Sequence, residues 1–298
     1  MFASVPMLAY GINPYNSEIN RIIVLTVLTI YSGFFAALIW NDITDFDIDK
    51  IAHPKRLLPS KKITVKRLFG VALIFSAFTF IFSVLISIWC LFLVGIAALF
   101  VAFHNKYLKR RVKFPAYSEI LSPVQWTVVA IFGFLAVWSS LPQSMDISID
   151  LVFFGSISTS NNAIKTMIIL IFFTYFADNS HDIAEGIHDA DADKKYGIKT
   201  YTTSFGLFAA SKISFFMFVA SGLFGILLYI QSILSPIFLI LFLIIFFYTL
   251  YYHLKLLKCN KKELVNQGLL VGRKLYDYFL FSYNLIFIDL IIQILFNS

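Results

Sequence analysis

The sequence predicts an all-α fold: a multi-span transmembrane helical bundle of eight full spans with a shortened first helix. Three observations lead there. Of 298 residues, 59% are hydrophobic and only 14% charged, with mean hydropathy +0.81; a soluble chain carries about a quarter charged residues. Apolar runs of about 20 residues, the length of a bilayer-crossing helix, recur along the chain. The loops between those runs alternate between basic and non-basic.

The first apolar stretch, Phe2 to Ile12, ends at Asn13-Pro14. It is too short to cross a bilayer alone, and no charged leader or cleavage site marks it as a signal peptide. It reads as an abbreviated first helix. Full spans are expected at about 20–40, 67–87, 89–104, 118–139, 163–181, 206–231, 235–255 and 275–296. Lys50, Lys55, Arg56, Lys61, Lys62, Lys66 and Arg67 follow the first full span, and Lys106, Lys109, Arg110, Arg111 and Lys113 follow the third. Lys194, Lys195, Lys199 and Lys212 follow the fifth, and Lys255, Lys258, Lys261, Lys262, Arg273 and Lys274 lie between the last two. The loop from Ser139 to Asn162 has Asp146 and Asp150 but no Lys or Arg; only Arg21 and Lys165 fall toward that face. Basic loops stay in the cytoplasm, so the expected location is the cell (inner) membrane with this face inward. The net charge of +7 is then a matter of orientation in the lipid bilayer, and no nucleic-acid partner is expected. Cys90 and Cys259 lie far apart and imply neither a disulfide framework nor a zinc site. No fixed-period repeat or second soluble domain is visible, so residues 1–298 are read as one domain.

Two acidic clusters stand at cytoplasmic ends of spans. The first reads Asn41-Asp42-Ile43-Thr44-Asp45-Phe46-Asp47-Ile48-Asp49. With residues 20–49 read as one helix, Asp42, Asp45 and Asp49 share a face and Asn41 joins their stripe, while Asp47 points elsewhere. Acceptor-only oxygens gathered this way repel unless a hard cation lies between them. The stretch His53-Pro54-Lys55-Arg56-Leu57-Leu58-Pro59-Ser60-Lys61-Lys62 follows. Its prolines predict a loop, and the planar fork of Arg56 suits phosphate oxygens. The second cluster closes the segment YFADNSHDIAEGIHDADADKKYGIKT, residues 175–200. Asp182, Asp189 and Asp193 fall on one stripe, Asp191 points away, Lys194 and Lys195 follow, and Gly197 marks the break. Asp178 and Glu185 are ambiguous. His181 and His188 invite zinc, but ligands dominated by carboxylate oxygen favour magnesium or manganese.

Asn-Asp-x-x-Asp-x-x-x-Asp, a basic-proline loop, then Asp-x-x-x-Asp before Gly-x-x-Thr resembles the UbiA family of intramembrane prenyltransferases. The carrying residues are Asn41, Asp42, Asp45 and Asp49; Arg56 with Pro59 and Ser60; Asp189 and Asp193; and Gly197 with Thr200. Tyr107-Leu108-Lys109-Arg110 resembles a further family element in which a lysine helps hold phosphate. The resemblance covers nearly the whole chain. It departs in the shortened first helix, in Arg56-Leu57-Leu58 where relatives often have Arg-Pro-Leu, and in Lys61 where a glycine is common.

The resemblance implies a nine-helix bundle whose central cavity opens sideways to lipid. It implies Mg2+ as cofactor, held by Asp42, Asp45, Asp49, Asp189 and Asp193. The diphosphate of an isoprenyl diphosphate donor would meet Asn41, Arg56, Lys109 and Lys194. Asp45 and Asp193 would promote ionisation, and Asp182, without a metal duty, would take up the proton released at transfer. The acceptor is lipophilic, either an aromatic ring or a polar-lipid hydroxyl, and the Pro-Lys-Arg…Pro-Ser loop leans toward the second. An intramembrane terpene cyclase would use the same ionisation without an acceptor. A transporter or lipid-binding membrane protein is the rival of a different class. Transporters usually show inverted repeats and broken mid-membrane helices, whereas these acids cluster at helix ends.

Overall fold

The computed structural model describes residues 1–297 except 14, 53, 142–145 and 152–154. Pro14 and His53, and the side chain of Arg110, all used in the sequence reading, lie outside the described residues. The elements run α1 (Ser4–Tyr10), α2 (Ser17–Thr44), α3 (Phe46–Ala52), α4 (Val65–Ile86), α5 (Ile88–Phe103), a π-helical turn (His104–Leu108), α6 (Lys109–Arg111), α7 (Tyr117–Leu121) and α8 (Val124–Trp138). The hairpin strands β1 (Ile147–Leu151) and β2 (Gly155–Thr159) come next, then α9 (Asn161–Tyr196), α10 (Tyr201–Phe205), α11 (Leu207–Gln231), α12 (Pro236–Leu257) and α13 (Lys261–Asn297). The hairpin, antiparallel with Ile147 opposite Thr159, stands where the sequence reading had only a loop.

Among the described residues, seven helices are long and apolar enough to cross a membrane, against the eight full spans expected. The difference is α9. Its 36 residues, about 54 Å long, carry Asp178 and Asn179 directly after the apolar run. A helix facing lipid could not hold them cheaply. Instead α9 packs along α11 and α13 and touches α8, which leaves Asp178 and Asn179 buried in the bundle interior. The fit between α9 and α13 depends on two small residues one turn apart. A Cβ on Gly268 would lie 2.8 Å from the Ala184 carbonyl oxygen, and one on Gly272 would lie 3.2 Å from the Glu185 nitrogen.

Two further expectations change. The single helix 20–49 is interrupted at Asp45, whose φ −95° and ψ 9° end α2. The Asp45 N–H still donates to Asn41 (2.8 Å) and the Asp49 N–H to Asp45 (2.9 Å), so the one-turn spacing of the acids survives the break. Residues 261–274 are not a loop but the opening turns of α13. The first helix is short as expected: α1 has seven residues, is buried along its length, and packs against α8 and α13.

Polar caps start the long helices. Asn16 accepts from the N–H of Glu18 and Ile19 to begin α2, and the hydroxyl of Ser160 accepts from Ala163 to begin α9. Inside the bundle, hydroxyls pair with each other, as Tyr283 does with Thr174 (2.5 Å) and Tyr278 with Ser221 (3.2 Å). No water is available there to satisfy them.

Candidate active site

The two acidic segments meet at one end of the bundle. Tyr196, the last residue of α9, donates its hydroxyl to the Asp47 carbonyl on α3 at 2.8 Å. This bond ties together segments about 150 residues apart.

Asp45 and Asp49 are buried, and each faces a cation. Lys109 Nζ lies 2.7 Å from Asp45 Oδ2. Arg56 Nη1 lies 2.9 Å from both oxygens of Asp49 and 3.6 Å from Asp42. Lys109 reaches Asp45 because the π turn before it re-aims the end of α5, a common use of such turns. Arg56 reaches Asp49 because the loop folds tightly: Ser60 N–H donates to the Arg56 carbonyl and Lys61 N–H to Leu58, both at 3.0 Å. Lys61 has φ +59°, the left-handed conformation that favours glycine, which accounts for the glycine common at that place in the family pattern. Asp47 is exposed and paired with Lys50 at 2.9 Å.

On α9, Asp189 and Asp193 are half-buried and Asp191 and Lys194 are exposed. Gly197, at φ +72°, ends the helix in the left-handed conformation, and Thr200 opens α10 with a reciprocal cap. Burial, reinforced by the nearby charge of Asp189, pushes the Asp193 carboxyl up to about 7. Asp45 raises it further and Lys109 opposes, so the field of the first segment is felt on the second.

A cavity of about 770 Å³ lies inside the bundle and reaches Asn41 and Thr44, at the end of α2 next to Asp45. Asn41, Thr44, Asp178 and Asp182 line its polar end, and Phe34, Val94 and Phe132 are among its apolar walls. From Thr44 to Thr29 along α2 it is about 22 Å deep. Two acceptor atoms at the polar end are buried without a hydrogen-bond partner: Asn41 Oδ1 and Asp178 Oδ2. A buried orphan acceptor is costly, so each is suited to a ligand.

Among the described residues, no three His, Cys, Asp or Glu side chains are gathered tightly enough to hold a metal ion. Lys109 and Arg56 pair with Asp45 and Asp49 there. The donors available at the mouth are oxygens of five aspartates and the orphaned Asn41 amide, the chemistry of a hard divalent cation. The residue set therefore fits magnesium.

The sequence reading missed Glu119. It is buried on α7, accepts from the Tyr201 N–H, and lies so close to Gly186 that a Cβ there would collide with its Oε1. An isolated acid in an apolar span was the available signal. Asp178, left ambiguous, proves to be 2% exposed and to line the cavity.

A family model described as the UbiA prenyltransferase family matches residues 2–276. The chain belongs to the UbiA prenyltransferase family. Its relatives include the digeranylgeranylglyceryl phosphate synthase of Methanococcus aeolicus, 27% identical over 85% of this chain and 81% of that protein. The enzyme of the same name from Saccharolobus solfataricus is 25% identical over 72% of this chain and 64% of its own length. Among solved structures, a UbiA homolog from Aeropyrum pernix aligns with TM-score 0.68 at 17% identity over 94% and 97% of the two chains. A UbiA homolog from Archaeoglobus fulgidus, solved bound to DMAPP and Mg2+, aligns with TM-score 0.59 at 15% identity over 95% and 93%. The helical membrane bundle is thus the UbiA fold.

Proposed function

We propose that this UbiA-family chain transfers an isoprenyl group from an isoprenyl diphosphate to the hydroxyl of a polar lipid, releasing diphosphate, with its active site on the cytoplasmic side and magnesium as cofactor. One observation carries the reading: a deep apolar cavity ends at Asn41, Thr44 and Asp182, and Asn41 is one turn from the Asp45 that pairs with Lys109. The lipid acceptor is favoured over an aromatic ring because the relatives named above are digeranylgeranylglyceryl phosphate synthases.

Asp42, Asp45, Asp49, Asp189 and Asp193 would hold magnesium, helped by Asn41. When bound, that ion supplies charge that neutralises the diphosphate oxygens. The chain's own residues do the rest. Arg56 and Lys109 exchange their carboxylate partners for diphosphate oxygens and stabilise charge growing on the leaving group. The cavity walls bind the isoprenyl tail, at about 0.8 kcal/mol per buried CH₂, and exclude water that would quench an allylic cation. The allylic C–O bond breaks with its electron pair leaving on diphosphate. The acceptor hydroxyl oxygen forms the new C–O bond, and its proton passes to Asp182 at the cavity's polar end.

The test is turnover in vesicles with magnesium, labelled isoprenyl diphosphates of several lengths, and a panel of lipid-hydroxyl and aromatic acceptors. A labelled ether lipid is the expected product. Asp45→Asn and Asp193→Asn should each lower diphosphate release by at least about a hundredfold while the protein stays in the membrane. Retained turnover in either variant, hydrocarbon formed from donor alone, or transfer only to aromatic rings would each overturn this assignment.

A further inference from the structure

The main cavity has a neighbour. A second cavity of about 580 Å³ lies between α9 and α13, lined by His181, Glu185, Arg273, Lys274, Tyr276 and Asp277 among others. His181 and Tyr276 line both cavities, so their rings, 5.0 Å apart, form the partition between them. The partition is anchored, because His181 Nδ1 hydrogen-bonds the Gly272 carbonyl at 3.1 Å.

The charges in this pocket are unevenly committed. Lys274 lies 3.7 Å from Asp277 and faces the rings of Tyr248 and Tyr252 at 5.6 and 5.8 Å. Glu185 lies 3.6 Å from His181. Arg273 is exposed and forms no ion pair among the described residues. Its depth matters as well. From Leu275 to the end of the span at Phe296, α13 extends roughly 33 Å, enough to cross the hydrocarbon core of about 30 Å. Measured back from Phe296, a hydrocarbon core of that thickness would end beside Arg273 and bring it within reach of lipid headgroups. The cavity opens at that level and shares a wall with the place where the cation would form.

We propose that this side pocket receives the anionic head of the acceptor lipid, with Arg273 gripping its phosphate and the His181–Tyr276 partition directing its hydroxyl into the main cavity. The proposal rests on the lipid-acceptor reading above. It gives the two substrates separate anion sites: the donor diphosphate at Arg56 and Lys109, the acceptor phosphate at Arg273. An acceptor without a phosphate would gain nothing from Arg273.

The test uses the full chain in nanodiscs of zwitterionic lipid. Two acceptors are compared, a glyceryl ether phosphate with one free hydroxyl and the same ether without phosphate. Arg273→Gln should raise the KM for the phosphorylated acceptor about tenfold, the loss of one charge-assisted contact. The KM for the unphosphorylated acceptor and for the donor should not move, and Arg273→Lys should recover part of the loss. Equal effects on both acceptors, no effect on either, or competition by phosphatidylglycerol as strong as by the acceptor itself would overturn the proposal. Direct binding of the labelled glyceryl ether phosphate, measured without donor, separates this site from the transfer reading. Tight binding by the unsubstituted protein that is lost in Arg273→Gln supports the pocket even if transfer fails, and binding indifferent to the substitution rejects it even if transfer succeeds.

Discussion

At the residue scale, Asp193 combines burial with like charge. A carboxyl pushed up to about 7 holds a proton in the fold that it would have released near pH 4 when unfolded. Between those values the folded state binds more protons, so this group's contribution to stability is present below about pH 4 and lost as pH rises through 7. On the proposed assignment of Asp193 as a magnesium ligand, the ion needs the ionised carboxylate, and its binding would expel that proton. Apparent magnesium affinity should rise about tenfold per pH unit from pH 5.5 to 7 and flatten above. Magnesium-induced shifts in Tm across that range measure this; a flat profile below pH 7 would show that Asp193 is not a ligand. The motif aspartates were legible in the sequence because their helical spacing puts them on one stripe. Their pairing with Arg56 and Lys109 was not, since it depends on the loop fold and on the π turn. Nor was Glu119, whose partner Tyr201 is brought to it only by tertiary packing.

At the element scale, α9 is the polar axis of the bundle, and α13 holds it from one side. Gly268 and Gly272 form a Gly-x-x-x-Gly pair, a pattern that lets membrane helices approach closely. Gly268→Leu would drive a branched side chain into the Ala184 carbonyl and Ile187. It should lower stability by about 1–3 kcal/mol and, by tilting α9, weaken activity more than that loss explains. Thermal unfolding in detergent alongside turnover at a temperature where the variant remains folded would check both; unchanged Tm would show that the helices do not depend on this contact. The pattern was present in the sequence, but span assignment by hydropathy put these residues in a loop. The polar residues that close α9 are what set it apart from the seven helices apolar enough to cross a membrane. On α9, Ile168 and Phe172 are exposed while Asp178 and Asn179 are buried, so one helix carries both kinds of face.

At the scale of the whole molecule, the two acidic segments lie about 150 residues apart in the chain, the first already paired with Lys50, Arg56 and Lys109. Packing α3 against the end of α9 makes one mouth from the two, and α2, α5 and α8 wall the cavity below it. Alternating loop charge and helix-end position made this arrangement readable in outline, because they placed both segments on one face. Depth and width of the cavity were not readable, since they depend on which side chains face inward. The deep walls should therefore decide donor length independently of the mouth. Val94 lies on the wall well below the mouth and is 8% exposed. Val94→Phe should fill the far end, where only a long tail reaches. Turnover of a 20-carbon donor relative to a 10-carbon donor should fall about tenfold, the scale at which pocket size discriminates. Because Val94 lines the main cavity and neither Arg56 nor Arg273 does, acceptor KM should stay constant. Competition between the two donors in one reaction reads the ratio directly. A fall in turnover shared equally by both donors would place the isoprenyl tail somewhere other than this cavity.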